Sequence, residues 1–440
     1  MNIKEALKLL KDEKVKYLRL QFTDIMGINK NVEVPPSQFE KALDGKVMFD
    51  GSSIEGFSRI EESDMVLNPD LNTLIVYPWN NNEKRIARLI CDIHNPDGTP
   101  FEGCPRNTLK KILKRAKDLG YVMNAGLEAE FFLFERDERG NVTINTHDAG
   151  GYFDLTPIDR GEEARMEMVE VLSSIGFEVE AAHHEVAPGQ HEIDFKYADA
   201  LTAADRIATF RFVVRKVASQ YNLHATFMPK PIFGINGSGM HTHQSLFRGK
   251  KNVFYDSKAK YQLSSIAMGY IAGILRHAKS FTAITNPLIN SYKRLVPGFE
   301  APTMISWSEK NRSPLIRVPA KREIGTRIEV RSPDPSANPY LALSVMLASG
   351  LEGITNKQYP PEPVNKNLYK MSGRELSRLK IGVLPGSLSE ALDSMDKDTL
   401  IRKVLGEHIY TNYIKAKRGE WRDYIQQVHS WEQDHYLSKY

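Results

Sequence analysis

GLEAEFFLF, residues 126–134, opens with apolar and acidic side chains in alternation. Read as one extended strand, it sends Leu127, Ala129, Phe131 and Leu133 to one face and Glu128 and Glu130 to the other. Phe132 and Phe134 continue the acidic face. Phenylalanines disfavour solvent, so the pattern predicts carboxylates turned inward rather than solvated on an open sheet. Two buried carboxylates on one face need a compensating cation.

Three other segments repeat this theme. In EAAHHEVAPGQHEIDFKY (180–197), Glu185 and Glu192 flank a Pro188-Gly189 turn, so two short strands bring their carboxylates together. His183, His184 and His191 lie alongside; each is a possible metal ligand or a hydrogen-bonded structural histidine. In NGSGMHTHQSLF (236–247), Gly237 and Gly239 allow close approach of the backbone to a ligand. A strand then places His241, His243 and Ser245 opposite Met240, Thr242 and Leu246. A lone HxH is a weak signal, and no third His or Cys stands at zinc spacing. In TRIEVRSPDP (326–335), Arg327, Glu329 and Arg331 share one face, which taken alone reads as an exposed charge ladder.

If these strands form one sheet, Glu128, Glu130, Glu185, Glu192, Glu329 and His241 converge. Oxygen ligands with a single imidazole suit Mg²⁺ or Mn²⁺ better than zinc or copper. Three ligands per ion hold two ions and leave positions for phosphate oxygens, as phosphoryl transfer requires. Arg294, Arg312, Arg317, Arg327 and Arg331 supply guanidinium groups for carboxylate and phosphate. There is no GxxxxGK[ST], and GINGSG (234–239) has its glycines in the wrong order for a dinucleotide fingerprint. Any ATP must therefore be held by metals and arginines.

Around this core, 440 residues at about 150 per domain suggest two to three domains. NPDGTPFEGCPR (95–106), with three prolines and two glycines, is the best boundary. It separates a strand-rich module over 1–103 from a larger mixed part over 104–440. The module reads as an N-terminal amphipathic helix, strands between residues 15 and 35, a helix over 37–45, a long loop over 49–65, and strands at 74–77 and 85–92. The fold class is α+β. The tail from residue 397 reads as helical and aromatic (Tyr410, Tyr413, Trp421, Tyr424, Trp431, Tyr436), packed on its own core in preference to a neighbouring subunit.

Fifty-nine Lys+Arg against 55 Asp+Glu leave +4, which argues against an extended nucleic-acid surface. Cys91 and Cys104 form neither CxxC nor a disulfide framework, which fits a reducing cytoplasm. The first residues lack a signal-peptide apolar region, and no uncharged apolar run approaches the roughly 20 residues of a membrane helix.

FDGSSIEGF, EAEFFLF, HHEVAPGQHEID, NGSGMH, SYKRLVPGFEAP, NRSPLIR and RIEVRSPDPSANPYLALS, in that order along nearly the whole chain, resemble type I glutamine synthetase of bacteria and archaea. The resemblance implies a small N-terminal β-grasp domain and a catalytic domain built on an antiparallel sheet with flanking helices. It also implies a homo-oligomer, a dodecamer of two stacked hexamers, with active sites between neighbours. On the matching positions, Glu130, Glu185 and Glu192 are implied to hold the metal on the glutamate side, and Glu128, His241 and Glu329 the metal at the nucleotide phosphates. Arg294, Arg331, Asn236 and Gly237 match glutamate-binding positions, and Arg312, Arg317 and Arg327 match phosphate-gripping ones. Glu180, Phe195, His243 and Ser245 are implied to surround the nucleotide. Asp50 and Ser53 from the adjacent subunit, with Tyr152 and the flap residue Glu300, form the ammonium side.

The implied reaction activates the glutamate side chain with ATP as γ-glutamyl phosphate, which ammonia then attacks. Asp50 is the implied base, and Glu300 closes the site against water. NLYKMSGREL, around Tyr369, lacks the Leu-Pro-Pro that follows the adenylylated tyrosine in one branch, so no adenylylation is expected. The chain is similar to the shorter, feedback-inhibited branch, where an arginine matching Arg59 senses products; a loop salt bridge to Glu61 or Glu62 is the alternative. Enzymes of that branch also contact nitrogen-regulatory proteins. The competing readings are a γ-glutamyl ligase for a larger amine, a two-metal phosphohydrolase and a regulatory binder.

Overall fold

The computed structural model describes residues 1–54, 56, 64–79, 84–366 and 368–440, and only the backbone of Tyr369. Arg59, Glu61 and Glu62 lie outside the described residues, as does the Tyr369 side chain. Helix α1 (Ile3–Asp12) starts with a reciprocal cap between Asn2 and Glu5 and buries Ala6 and Leu10. It packs on a sheet of β1 (Tyr17–Thr23), β2 (Asn29–Val34), β3 (Val47–Asp50), β4 (Asp64–Val76) and β5 (Ile86–His94), ordered β2-β1-β5-β4-β3. Only the β1–β5 pair is parallel. The helix expected over 37–45 is a 3₁₀ turn at Pro36–Gln38 leading into α2 (Phe39–Leu43). The loop expected over 49–65 is strand at both ends, with Asp50 opposite Asp64. Buried Met65 and Leu67 begin the alternation of β4 there, and the acids before them hide it.

Helix α3 (Pro105–Asp118) opens the larger part, and Arg106 in its first turn joins the two. The guanidinium bonds Asp205 through Nε and Nη2 (3.0 and 2.8 Å), Asp92 through Nη1 (2.9 Å) and Asp70 through Nη2 (2.8 Å). Arg106 is buried, so these charge-assisted bonds act at low dielectric.

Two sheets follow. One contains β7 (Phe131–Arg136), β8 (Val142–Thr146), β9 (Val179–His184), β10 (Gln190–Phe195) and β12 (Leu223–Thr226), in the order β12-β7-β10-β9 with β8 also on β7. The other contains β6 (Val122–Ala129), β11 (Ala198–Asp199), β13 (Met240–Arg248), β14 (Lys251–Asn252), β15 (Met304–Ser308), β16 (Pro314–Arg317), β17 (Ile328–Val330) and β18 (Gly382–Val383). Its order is β11-β6-β13-β17-β16-β15-β18, with β14 on β13; β15 and β16 run parallel and the other pairs antiparallel. The single strand expected over 126–134 is therefore two strands in different sheets, and the acids converge at a seam instead of on one sheet. The chain changes partners at Glu130, whose N–H donates to the Gly239 carbonyl (3.1 Å); the next residue, Phe131, pairs with His191. Both faces are buried here. Phe131 and Leu133 join the main core, while Phe132 and Phe134 pack with Ala187 in a small second one.

Helices α4 (Glu162–Ser174), α5 (Ala200–Gln220), α6 (Ser265–Thr285), α7 (Ser291–Arg294), α8 (Pro339–Thr355), α9 (Gly373–Arg378) and α10 (Leu388–Asp396) surround the sheets. In α11 (Thr399–Ile425), Tyr410 and Tyr413 are buried as expected and Trp421 packs partly against the core. In α12 (Ser430–Tyr436) and beyond, the expectation fails: Trp431 and Tyr436 are exposed, as are Leu437 and Tyr440, with no described residue covering them.

Candidate active site

The seam between the sheets is where the acids meet. Strand β13 lies between β6 and β17, which sets His241 opposite Glu128 and His243 opposite Glu329. Glu128 thus directly opposes His241 and Glu329 lies diagonally across from it, so register gathers Glu128, His241 and Glu329, with ligand atoms within 4.8 Å of one another. The β9–β10 hairpin turns at Pro188-Gly189 as expected and sets Glu192 opposite His183; with Glu185 they form a second such group within 4.8 Å. Glu130 stands beside this second group. It accepts from Gln190 Nε2 and the Gly239 N–H, both at 2.9 Å.

Of the three histidines left open by sequence, His183 is the one that joins an acid cluster at the seam among the described residues. His184 Nε2 turns to Asp148 (3.1 Å), and Arg165 Nη1 donates to His191 Nδ1 (2.9 Å). His147, Asp148, Asp159 and His191 form a third buried grouping, but Arg165 already supplies its cation through Asp159 (2.7 Å).

The charge ladder expected at 327–331 is buried instead: Glu329 is inaccessible and receives both Arg317 and Arg331. Arg327 Nε donates to His243 Nδ1 (3.1 Å), which leaves His243 Nε2–H to donate to Glu128 (2.6 Å). Burial pushes the Glu128 and Glu329 carboxyls up, but His243 and His241 beside the first and Arg331 beside the second more than offset it, and both end lowered. Burial and Arg331 push His241 down to about 4, so its imidazole is neutral, the form that binds metals. The other group goes the opposite way. Burial, with Glu185 and Glu192 nearby, holds Glu130 well above the carboxylate range; burial, with Asp194, Glu128 and Glu185, does the same to Glu192. Asp194 is pushed up to about 7 by burial and Glu128. The seam thus has more buried carboxylate than local cations neutralise, and its oxygen-rich donors fit a hard divalent cation.

Two recesses open from the seam. A cavity of about 390 Å³ collects Glu128, Glu180, Phe195, His243, Ser245 and Arg327, six residues that the resemblance assigns to the nucleotide and its metal. Asp194, Tyr197, Asn124 and Lys321 also line it. Asp194 escaped sequence reading although it stands two residues from Glu192 on the same face of β10, which was the available signal. A smaller recess gathers Glu130, Glu185, Asn236, Gly237, Arg294, Glu300 and Arg331. The glycines of this loop serve the protein's own packing: a Cβ on Gly239 would stand 2.5 Å from Arg294 Nη2, and one on Gly237 would strike the Pro229 carbonyl. Arg294 is held by the Ser332 and Arg331 carbonyls (2.7 and 3.2 Å). Glu300 is exposed at φ 58, in the left-handed region.

The remaining expected residues are dispersed. Tyr152 stacks on Phe153 (3.9 Å) beside His183, and Arg312 is exposed. Asp50 ends β3 of the N-terminal sheet and Ser53 lies in the turn after it; Asp50 accepts from the Ser52 N–H and hydroxyl (2.8 and 2.6 Å), and no hydrogen bond joins Asp50 or Ser53 to the seam among the described residues.

Known proteins resemble this chain over nearly its whole length. Residues 14–96 match the family model for the glutamine synthetase β-grasp domain, and residues 102–436 match the one for the glutamine synthetase catalytic domain. Glutamine synthetase from Thermus thermophilus is 61% identical over 440 residues, covering 99% of both chains. One from Staphylococcus aureus is 58% identical over 434 residues, covering 98% of this chain and 97% of its own. Among solved structures, a GmaS/ADP complex superposes with TM-score 0.89 at 31% identity, covering 98% of this chain and 99% of the other. The electron cryomicroscopy structure of Plasmodium falciparum glutamine synthetase gives TM-score 0.88 at 28% identity over 99% of both. With both domain models matched across nearly its whole length, the chain belongs to the glutamine synthetase family.

Proposed function

We propose that this chain joins ammonium to the side-chain carboxylate of glutamate using ATP, giving glutamine, ADP and phosphate. The observation that carries this reading is the pair of acid–imidazole groups at one seam, with a large recess on one side and an arginine-lined recess on the other. Glu130, Glu185 and Glu192 would hold one divalent cation, Mg²⁺ or Mn²⁺, with His183 adjacent; Glu128, His241 and Glu329 would hold another. Bound there, the ions neutralise phosphate charge and polarise the phosphoryl group.

The chain's own residues do the rest. Arg294, Arg331, Asn236 and Gly237 orient glutamate in the smaller recess. Arg312 and Arg327 meet phosphate oxygens, while Arg317 holds Glu329 in place; Glu180, Phe195, His243 and Ser245 surround the nucleotide in the larger recess. Transfer of the γ-phosphoryl group makes γ-glutamyl phosphate, whose phosphate leaves where oxide would not. Ammonium is the main species at neutral pH, so an anionic pocket must bind it and remove a proton. Asp50 and Ser53 of a neighbouring copy, with Tyr152 and Glu300, would form that pocket. Glu300 on its flap keeps water from the acyl phosphate.

A dodecamer supplies the neighbour. The exposed Tyr152, Phe153, Leu155 and Phe233 near the smaller recess, and the bare aromatic tail, are the surfaces such an assembly would cover. The division into units at about residue 103 fits α3 starting at Pro105. A cytoplasmic location is supported by two free, buried cysteines and by the lack, among the described residues, of a helix long and apolar enough to cross a membrane.

One assay tests the reaction: phosphate and amide formation from ATP and glutamate with ammonium, methylamine or putrescine as acceptor. Ammonium should be the preferred acceptor, with phosphate release dependent on glutamate. Preference for a larger amine would reassign the acceptor, and phosphate release without glutamate would make the chain a phosphohydrolase.

A further inference from the structure

Lys230 carries a buried ammonium with no carboxylate partner among the described residues. Its backbone is pinned from both sides by Asn290, which accepts from the Lys230 N–H (2.7 Å) and donates to the Lys230 carbonyl (2.9 Å). Asn290 directly precedes α7, which ends in Arg294. The Lys230 stem passes under the glutamate-side loop, 3.2 Å from where a Cβ on Gly237 would lie. At its tip, Nζ donates to the Ile235 carbonyl and sits 3.7 Å from the centre of the Phe299 ring. A desolvated ammonium over an aromatic face is strongly held there.

Phe299 directly precedes Glu300. The chain here reverses through two left-handed residues, Gly298 (φ 97) and Glu300 (φ 58), and the second is not a glycine. A conformation of that kind persists only where the surroundings hold it. Lys230 ties this segment to the loop and helix that line the smaller recess.

We propose that Lys230 is a positioning residue that latches the flap shut through Phe299, so that γ-glutamyl phosphate meets ammonia and not water. The inference rests on the proposed function, since the latch protects that reaction's intermediate. When the flap opens early, water oxygen adds to the γ carbon and the C–O bond to phosphate breaks. Inorganic phosphate leaves, glutamate is regenerated and one proton goes to solvent. The signature of a weakened latch is thus wasted ATP, not only slower turnover.

The test measures phosphate released per glutamine formed at saturating ammonium, in the assembled enzyme, for wild type, Lys230→Met, Lys230→Arg, Phe299→Leu and Phe299→Tyr. Wild type should give a ratio near one. Lys230→Met and Phe299→Leu should each raise it about threefold to tenfold, while Lys230→Arg and Phe299→Tyr keep it near the wild-type value. The double variant should be no worse than the worse single one, since both remove the same contact. Phe299→Leu lies on the half-buried flap, so it remains informative if Lys230→Met fails to fold. A ratio near one in Phe299→Leu, or additive effects in the double variant, overturns the latch while leaving the function standing. Wild-type protein that makes no glutamine overturns both.

Discussion

Carboxylates crowded as closely as Glu130, Glu185, Glu192 and Asp194 repel one another until a dication enters among them. A carboxyl whose folded pKa stands above its unfolded value favours the fold while protonated and opposes it once ionised, so metal-free protein should lose stability as pH rises through about 7, where Asp194 titrates. Glu192→Gln removes one of these charges without changing shape. In chelator at pH 8, this variant should melt a few degrees above wild type; in excess Mn²⁺ the order should reverse, because wild type gains more from the ion. Melting curves with and without metal decide it, and the same order under both conditions contradicts the cation reading of the seam. Glu130 was legible in the sequence because alternation put it on a face that also carried phenylalanine, and Glu185 and Glu192 because they flank the Pro188-Gly189 turn. Glu329 was legible as one of the converging acids; its burial between Arg317 and Arg331 was not, because a strand with charges on alternate residues looks the same whether its partner is water or a second buried charge.

At the scale of elements, His277 on α6 joins three helices. Its Nδ1 bonds Asp398, the N-cap of α11 (2.7 Å), and its Nε2 bonds Glu352 on α8 (2.6 Å). Both partners accept, so the ring is an imidazolium; burial opposes the charge, but the two carboxylates outweigh it and raise the pKa. The stabilisation is therefore complete below the unfolded value of about 6.5 and fades as pH climbs through the raised folded value. The melting gap between wild type and His277→Gln should narrow steadily from pH 6 to pH 9; a constant gap would show that packing, not charge, is responsible. Helices α6 and α8 meet so closely that a Cβ on Gly273 would strike the Ser349 carbonyl. Gly273→Ala should cost about 1–3 kcal/mol of stability by overpacking, read from denaturant midpoints. Hairpins and helix stops were readable from Pro188-Gly189 and Gly45. The partner change at Glu130 was not: a strand buried on both faces keeps one periodicity across it, and only the distant Gly239 carbonyl ends the first pairing.

Across the whole molecule, the N-terminal sheet is tied to the catalytic part through Arg106. Arg106→Leu leaves Asp70, Asp92 and Asp205 facing one another without that guanidinium, at a cost of about 3–5 kcal/mol. Limited proteolysis between residues 95 and 106 should accelerate before the catalytic part unfolds; simultaneous loss of both would show that the sheet has no independent hinge. The proline- and glycine-rich boundary was visible in sequence, but this clamp was not, because its members are scattered from Asp70 to Asp205. A last consequence concerns inheritance. A backbone that leaves one sheet at Ala129 and enters another at Phe131 has no slack in between, so one inserted residue would rotate one half of the ion site against the other. The β7–β8 turn at Asp137–Asn141, a few positions downstream, only folds back on itself. Relatives of this chain should vary in length at that turn and remain locked in length around Glu130, however far their other letters drift.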